Sequence, residues 1–220
     1  MIRHSRSTLL SLTKQPNAHP NVLQEFIPKL KDHLLSRLLD HEYDGDERPF
    51  SSEEWSSIQF VNNLNKVICP NRLQINYTTY DIRHDQDTLR PGHGAAIMLL
   101  SHEDGPNAHP FWYTEVLGAF LITVTYFGVE RTMEFLWVRW FGVMPGYHWG
   151  LKNACLPKIG FVPSDSGVAF SFVDPSLALR ACHLIPAFSD GRTDSLLRYG
   201  PSVSRETNIF DDWAAYYVNM

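Results

Sequence analysis

Val116-Leu117-Gly118-Ala119-Phe120-Leu121-Ile122-Thr123-Val124-Thr125-Tyr126-Phe127-Gly128-Val129-Glu130-Arg131-Thr132-Met133-Glu134-Phe135-Leu136-Trp137-Val138-Arg139-Trp140-Phe141 is the stretch on which the fold turns. β-branched and aromatic residues dominate it, and the apolar side chains recur at every second position, the period of a strand. In the first half Val116, Gly118, Phe120, Ile122, Val124 and Tyr126 are expected to share one face. In the second, Met133, Phe135, Trp137, Arg139 and Phe141 form one face and Leu136, Val138 and Trp140 the other. Gly128-Val129-Glu130 is expected as the hairpin loop between them. Because both faces of the second strand are aromatic, a single-sided core cannot account for it.

The flanks carry weaker strand signals. Leu73, Ile75 and Tyr77 alternate with polar residues, and Ala95–Ser101, Lys158–Val162, Ala169–Val173 and Ala181–Pro186 are short apolar runs. Asp81–Gly94, His102–Pro110, Gly142–Ala154 and Pro163–Gly167 read as loops. Many short strands with turn signals between them suggest a small barrel or sandwich, and a small antiparallel, SH3-like β-barrel is the expectation adopted. Upstream, Leu23, Phe26, Ile27, Leu30, Leu34 and Leu38 recur at helical spacing, and the strong helix is expected from Pro28 to about His41. A second helix is expected from Ser51 or Ser52, with Glu54 in capping-box position and Ile58, Val61, Leu64 and Ile68 as its buried face. The fold class is therefore α+β, with two helices before the barrel. The expected divisions are a disordered lead-in at 1–18, a helical segment at 19–70, the β-domain at 71–189, and an extended tail at 190–220 that can return as a last strand near Trp213–Val218.

Composition narrows the function classes. The chain has 220 residues and a net charge of −5, the reverse of the basic balance of a phosphate-gripping protein. Nucleic acid is therefore expected as a weak partner at most. The longest uncharged stretch, Val116–Val129, is too short to span a bilayer as a helix, so no membrane partner is expected. Cys69, Cys155 and Cys182 are isolated, with no metal-ligand spacing. With no secretory signal, they point to reduced thiols and a nuclear or cytoplasmic location. No cofactor and no metal is expected. Two acidic clusters, His84-Asp85-Gln86-Asp87 and Ser101-His102-Glu103-Asp104, could serve a metal-dependent nuclease remnant, and they could equally be ordinary surface loops.

The aromatic content is what remains. Of 13 Phe, 9 Tyr and 6 Trp, twelve lie between Phe111 and Trp149. Trp112, Tyr113, Trp137, Trp140, Tyr147 and Trp149 form a candidate aromatic binding surface, as a cation–π cage or a stacking platform. Filling a small core is the competing explanation for the same rings.

Several strings bear a family resemblance. Phe135-Leu136-Trp137-Val138-Arg139-Trp140-Phe141-Gly142, Phe170-Ser171-Phe172-Val173-Asp174-Pro175 and Arg180-Ala181-Cys182-His183-Leu184-Ile185-Pro186 resemble the C-terminal region of proteins from fungal Plavaka elements, of the Kyakuja–Dileera–Zisupton transposon group. Pro20–Pro28, Leu73–Asp81 and Trp213–Met220 look like the same family. Trp137-Val138-Arg139-Trp140-Phe141 with the later Cys182-His183-Leu184 also resembles a bromo-adjacent homology module, a chromatin-associated β-domain. The resemblance implies a fragment of a longer element whose transposase core lies upstream, so no catalytic residue carries over. It implies a non-enzymatic interaction module with a histone or another protein as partner. The alternatives are a nucleic-acid-binding accessory region of a transposase, a nuclease remnant and a functionless remnant; no oligomeric state follows.

Overall fold

The long hairpin organises the molecule. In the computed structural model, which describes residues 4–7, 26–41, 43, 48–61, 67–79, 81–104, 108–150, 155–202, 204–205 and 208–219, β7 (Phe111–Tyr126) and β8 (Val129–Val143) pair antiparallel along almost their full length. Tyr126 opposes Val129, so the connection is the two-residue turn Phe127-Gly128, with φ of 45° and 78°. Two positive φ values make a type I′ turn, whose twist matches that of the flanking strands. The loop is thus shifted from the expected Gly128-Val129-Glu130, and Val129 and Glu130 belong to the strand.

The expected face of β7 is also corrected. The register shifts between Val116 and Gly118, a bulge that sends Val116 to one core and Leu117 and Phe120 to another. Gly118 is needed there, because a Cβ would stand 2.4 Å from Cζ of Phe120. The two faces of β8 are as the alternation predicts: Met133, Phe135 and Trp137 join one core, and Leu136, Val138 and Trp140 another.

Short strands then pair around the hairpin. β6 (Ala96–Leu100) pairs with the first part of β7 and with β11 (Arg180–Pro186); β11 pairs with β14 (Tyr216–Asn219), β14 with β9 (Lys158–Phe161), and β9 with β8. The pairings therefore return to the hairpin that they started from. Each of these strands contributes to one interior cluster containing Met98, Tyr113, Phe141, Ile159, Phe161 and Val218, with Cys182 and Leu184 packed on it. The tail supplies β14, as anticipated near Trp213–Val218, and also the short pair β12 (Arg192–Thr193) and β13 (Asp212–Trp213).

Beyond the reach of β6, the distal half of β7 has an open edge, and this changes the upstream segment. The second helix is one turn, α2 (Ser52–Ser56), with the capping box in place: Glu54 N–H donates to Ser51 Oγ at 3.3 Å, and Ser51 N–H to Glu54 Oε2 at 2.8 Å. After it Ile58–Phe60 forms β2 and Val67–Pro70 forms β3, both on β7. The free ladder of β7 outweighs the helical spacing of Ile58, Val61 and Ile68; Leu64 lies outside the described residues. The expected lead-in also lies outside them apart from His4–Ser7, which is β1 paired with β3.

Asp81–Gly94 is not all loop. β4 (Leu73–Thr78) pairs with β5 (His84–Leu89), and Gln86 bonds across to both Gln74 and Asn76. Polar cross-strand pairs hold β5 without apolar alternation. Leu73, Ile75 and Leu89 cover the outward core of Ile97, Leu99, Val116, Leu136 and Val138.

The Leu-rich helix α1 (Phe26–Leu38) is described from Phe26, two residues before the expected start. It buries Phe26, Leu30, Leu34 and Leu35 against the distal hairpin and β10 (Phe170–Val173), so its stripe is covered by its own chain. Asp32 ties it to the next segment by accepting from Phe50 N–H at 3.0 Å and Trp55 Nε1–H at 2.6 Å. Arg37 pairs with Asp174 at 2.6 Å. The molecule is mostly antiparallel sheet with few helices.

Candidate functional site

The six rings expected as one surface are distributed over five places. Trp112 and Trp140 stay together, edge to face at 6.3 Å, and with Tyr43 and His102 form a half-exposed patch outside the strand circuit. Their indole N–H groups are engaged, Trp140 with Ser171 Oγ at 2.6 Å and Trp112 with Glu103 Oε1 at 3.2 Å. Tyr113 lies inside the circuit, and burial pushes its hydroxyl well above the usual range. Trp149 packs at a tilt on buried His109, centroids 4.3 Å apart, and burial lowers the pKa of the His109 ring. Tyr147 faces Tyr217 at 6.2 Å, with Lys158 5.5 Å from both rings.

Trp137 is the one built into a cavity. On β8 it sits between Gly118 of β7 and Phe172 of β10, and the Phe120 ring lies over Gly118. Phe26 from α1 meets it edge-on at 5.4 Å and meets Phe172 at 4.9 Å; Phe170 lies 6.5 Å from it on the remaining side. These four buried rings, with the loop Ser164-Asp165-Ser166-Gly167, enclose a cavity of about 100 Å³. That is far below the ~300–1,000 Å³ of sites that enclose a whole small molecule. It suits the tip of a side chain. Asp165 is exposed at the mouth, and Lys29 Nζ reaches across it to the Gly167 carbonyl at 2.5 Å. Ring faces and a carboxylate are the groups that favour an alkylammonium. Only Trp137 belonged to the surface read from sequence. Phe26, Phe170, Phe172 and Asp165 were invisible as partners because three separate elements bring them together.

A second constellation surrounds Arg139, which is wholly buried on β8. Its guanidinium stands 3.7 Å over the Phe161 ring and donates to Asp212 Oδ2 at 2.8 Å and Ser204 Oγ at 3.1 Å. Arg205 holds the other oxygen of Asp212 at 2.9 Å. Burial alone would raise the Asp212 carboxyl; the hydrogen bonds from Arg205 and Arg139 outweigh it and hold the group below the ordinary carboxylate range.

The acidic clusters serve local structure. Asp85 accepts from Gln86 N–H, Asp87 from Ala181 N–H, and Glu103 from the Trp112 indole. Asp104 is exposed. Among the described residues no three His, Cys, Asp or Glu side chains are grouped to hold a metal ion, and no helix is long and apolar enough to cross a membrane. Cys182 points into the interior core while His183 is exposed, and burial pushes the thiol up to about 12. Compared with family models, curated proteins and solved structures, the chain matches none.

Proposed function

We propose that this chain is a non-catalytic interaction module, derived from a transposable-element protein, that takes a cationic side chain of a protein partner into the Trp137 cavity. The strand circuit is read as a small β-barrel, supported by the return of its pairings to β7 and by its single interior cluster. The observation that carries the functional reading is the cavity of about 100 Å³ walled by Phe26, Trp137, Phe170 and Phe172, with Asp165 at its mouth. A methylated lysine matches it in size and charge, and a basic, histone-like tail complements a chain of net charge −5.

The test is calorimetric titration of histone-tail peptides carrying unmodified and methylated lysine. Asp165→Asn, an exposed change that leaves the core intact, is expected to weaken binding several-fold. Trp137→Ala is expected to abolish it, while Trp149→Ala, remote from the cavity, leaves it unchanged. Absence of peptide binding overturns the reading, and so does binding indifferent to both Asp165 and Trp137. Exclusive binding of DNA or RNA, falling steeply with salt, would overturn it in favour of a phosphate-driven partner.

A further inference from the structure

The strand circuit has a second cavity, which shares no lining residue with the Trp137 pocket. There Ser204, Arg205, Ile209 and Asp211–Trp213 line one side of a space of about 270 Å³. This exceeds the ~150 Å³ that suffices for benzene in an apolar cavity. Phe141 and Phe161 stack at 4.2 Å, and Tyr216 meets both edge-on at 5.8 Å. Trp213, Leu184, Pro186 and Ile209 complete the apolar lining.

The charged groups here are committed to one another. Arg205 spends Nε and Nη2 on Asp212, Nη1 on the carbonyls of Arg198, Gly200 and Phe210, and Nη2 also on Leu197. Arg192 pairs with Asp211 at 2.5 Å. Arg139 pairs with Asp212 and stands opposite Glu115 in the β7–β8 register. Two arginines and three carboxylates, Glu115, Asp211 and Asp212, line the cavity, and Arg139 against the Phe161 ring balances them. A charged ligand entering this space competes with these pairs, and those on Asp212 are buried, so that breaking one strands its partner at high cost. An uncharged ring breaks none and meets four aromatic side chains, Phe161 by its edge because Phe141 and Arg139 cover its faces. The Tyr216 hydroxyl, pushed up to about 12 by burial and then by the Glu115 and Asp212 charges, stays neutral and can serve as a donor.

We propose that this cavity binds an uncharged, planar aromatic molecule of bicyclic size, seated between Trp213 and the Phe141–Phe161–Tyr216 rings. It is a site separate from the one used for partner binding, and it stands whether or not that reading does.

Indole is the probe, titrated into the full chain and followed by calorimetry. Tryptamine and indole-3-carboxylate carry the same ring with a positive and a negative charge. Saturable indole binding is expected, at least tenfold tighter than either charged analogue. Leu184→Trp fills the cavity from β11 and Ile209→Trp fills it from the tail; each is expected to weaken indole at least tenfold, with folding checked by circular dichroism. Two fillings from different elements keep the test valid if one fails to fold. Asp165→Asn is expected to leave indole affinity unchanged. The proposal is overturned if indole does not saturate, if a charged analogue binds as tightly, if a folded filled variant binds like the parent, or if Asp165→Asn removes indole binding.

Discussion

The two halves of the β7–β8 hairpin are made of the same kinds of residue and do opposite things. The distal half, beyond Gly118 and up to Trp137, lies under α1 and encloses Phe120, Ile122, Phe135 and other apolar side chains without a buried ion pair in its described core. The proximal half curls into the strand circuit and encloses Arg139, Glu115 and Asp212 beside its aromatic rings. One face of β8 therefore serves two cores, with Arg139 at the changeover after Trp137. The bulge at Val116–Gly118 lets β7 follow the same change. A hydrocarbon core tolerates any neighbour of the right shape. An ionic one demands particular partners, and here these come from the tail.

The largest expected effect tests that demand. Arg139→Met takes one of the two cations from buried Asp212, leaving Arg205 alone on it, and is expected to cost about 3 kcal/mol in denaturant unfolding. Amide exchange should show protection lost first in residues 204–218, while α1 keeps its own; uniform loss would mean that the two halves do not differ. The pH dependence should follow. Because the Asp212 carboxyl is held below its unfolded value, its stabilisation is full above about pH 4 and is lost as the pH falls through the lower folded value. Asp212→Asn should therefore be destabilised near neutrality and approach the parent's stability in acid, read from thermal melts across that range.

Next comes the boundary. Gly118→Ala places a methyl 2.4 Å from the Phe120 ring and is expected to cost about 1–3 kcal/mol, with the ring displaced toward the Trp137 side. A neutral result in urea unfolding would show that the bulge does not divide the cores. At the distal tip, exposed Phe127 holds a φ of 45° that a side chain adopts reluctantly. Phe127→Gly should raise stability by roughly 0.5–1 kcal/mol, less the entropy cost of glycine. The smallest effect concerns Lys29, whose ammonium spans the cavity mouth. Lys29→Met should change the melting temperature little and raise affinity for a methyl-lysine peptide a few-fold, since a competing cation is gone.

How much of this was legible differs between the same two regions. Alternation in Phe135–Phe141 correctly separated Trp137 from Trp140, and the spacing of Leu30 and Leu34 correctly marked the apolar stripe of α1. The apparent face of β7 failed at one residue, because a bulge inserts a position without changing residue character. Ile58 and Ile68 read as helical and are strands, since the edge of β7 that captures them is more than fifty residues away in sequence. His84–Leu89 looked like loop because its ladder to β4 rests on backbone and amide groups.

Local residue choice by itself determined the long hairpin, the apolar stripe of α1, the Ser51–Glu54 cap and the late concentration of rings. Each of these depends on neighbours within a few positions. Only the tertiary structure decided which rings meet and which charges pair. Trp137 was a candidate from its strand alone, but its cavity needs Phe26 from a helix, Phe172 from another strand and Asp165 from a loop. Arg139 read as one more position on an aromatic face until the tail supplied Asp212, 73 residues on. Burial of a charge depends on what folds over it, and no local spacing encodes that.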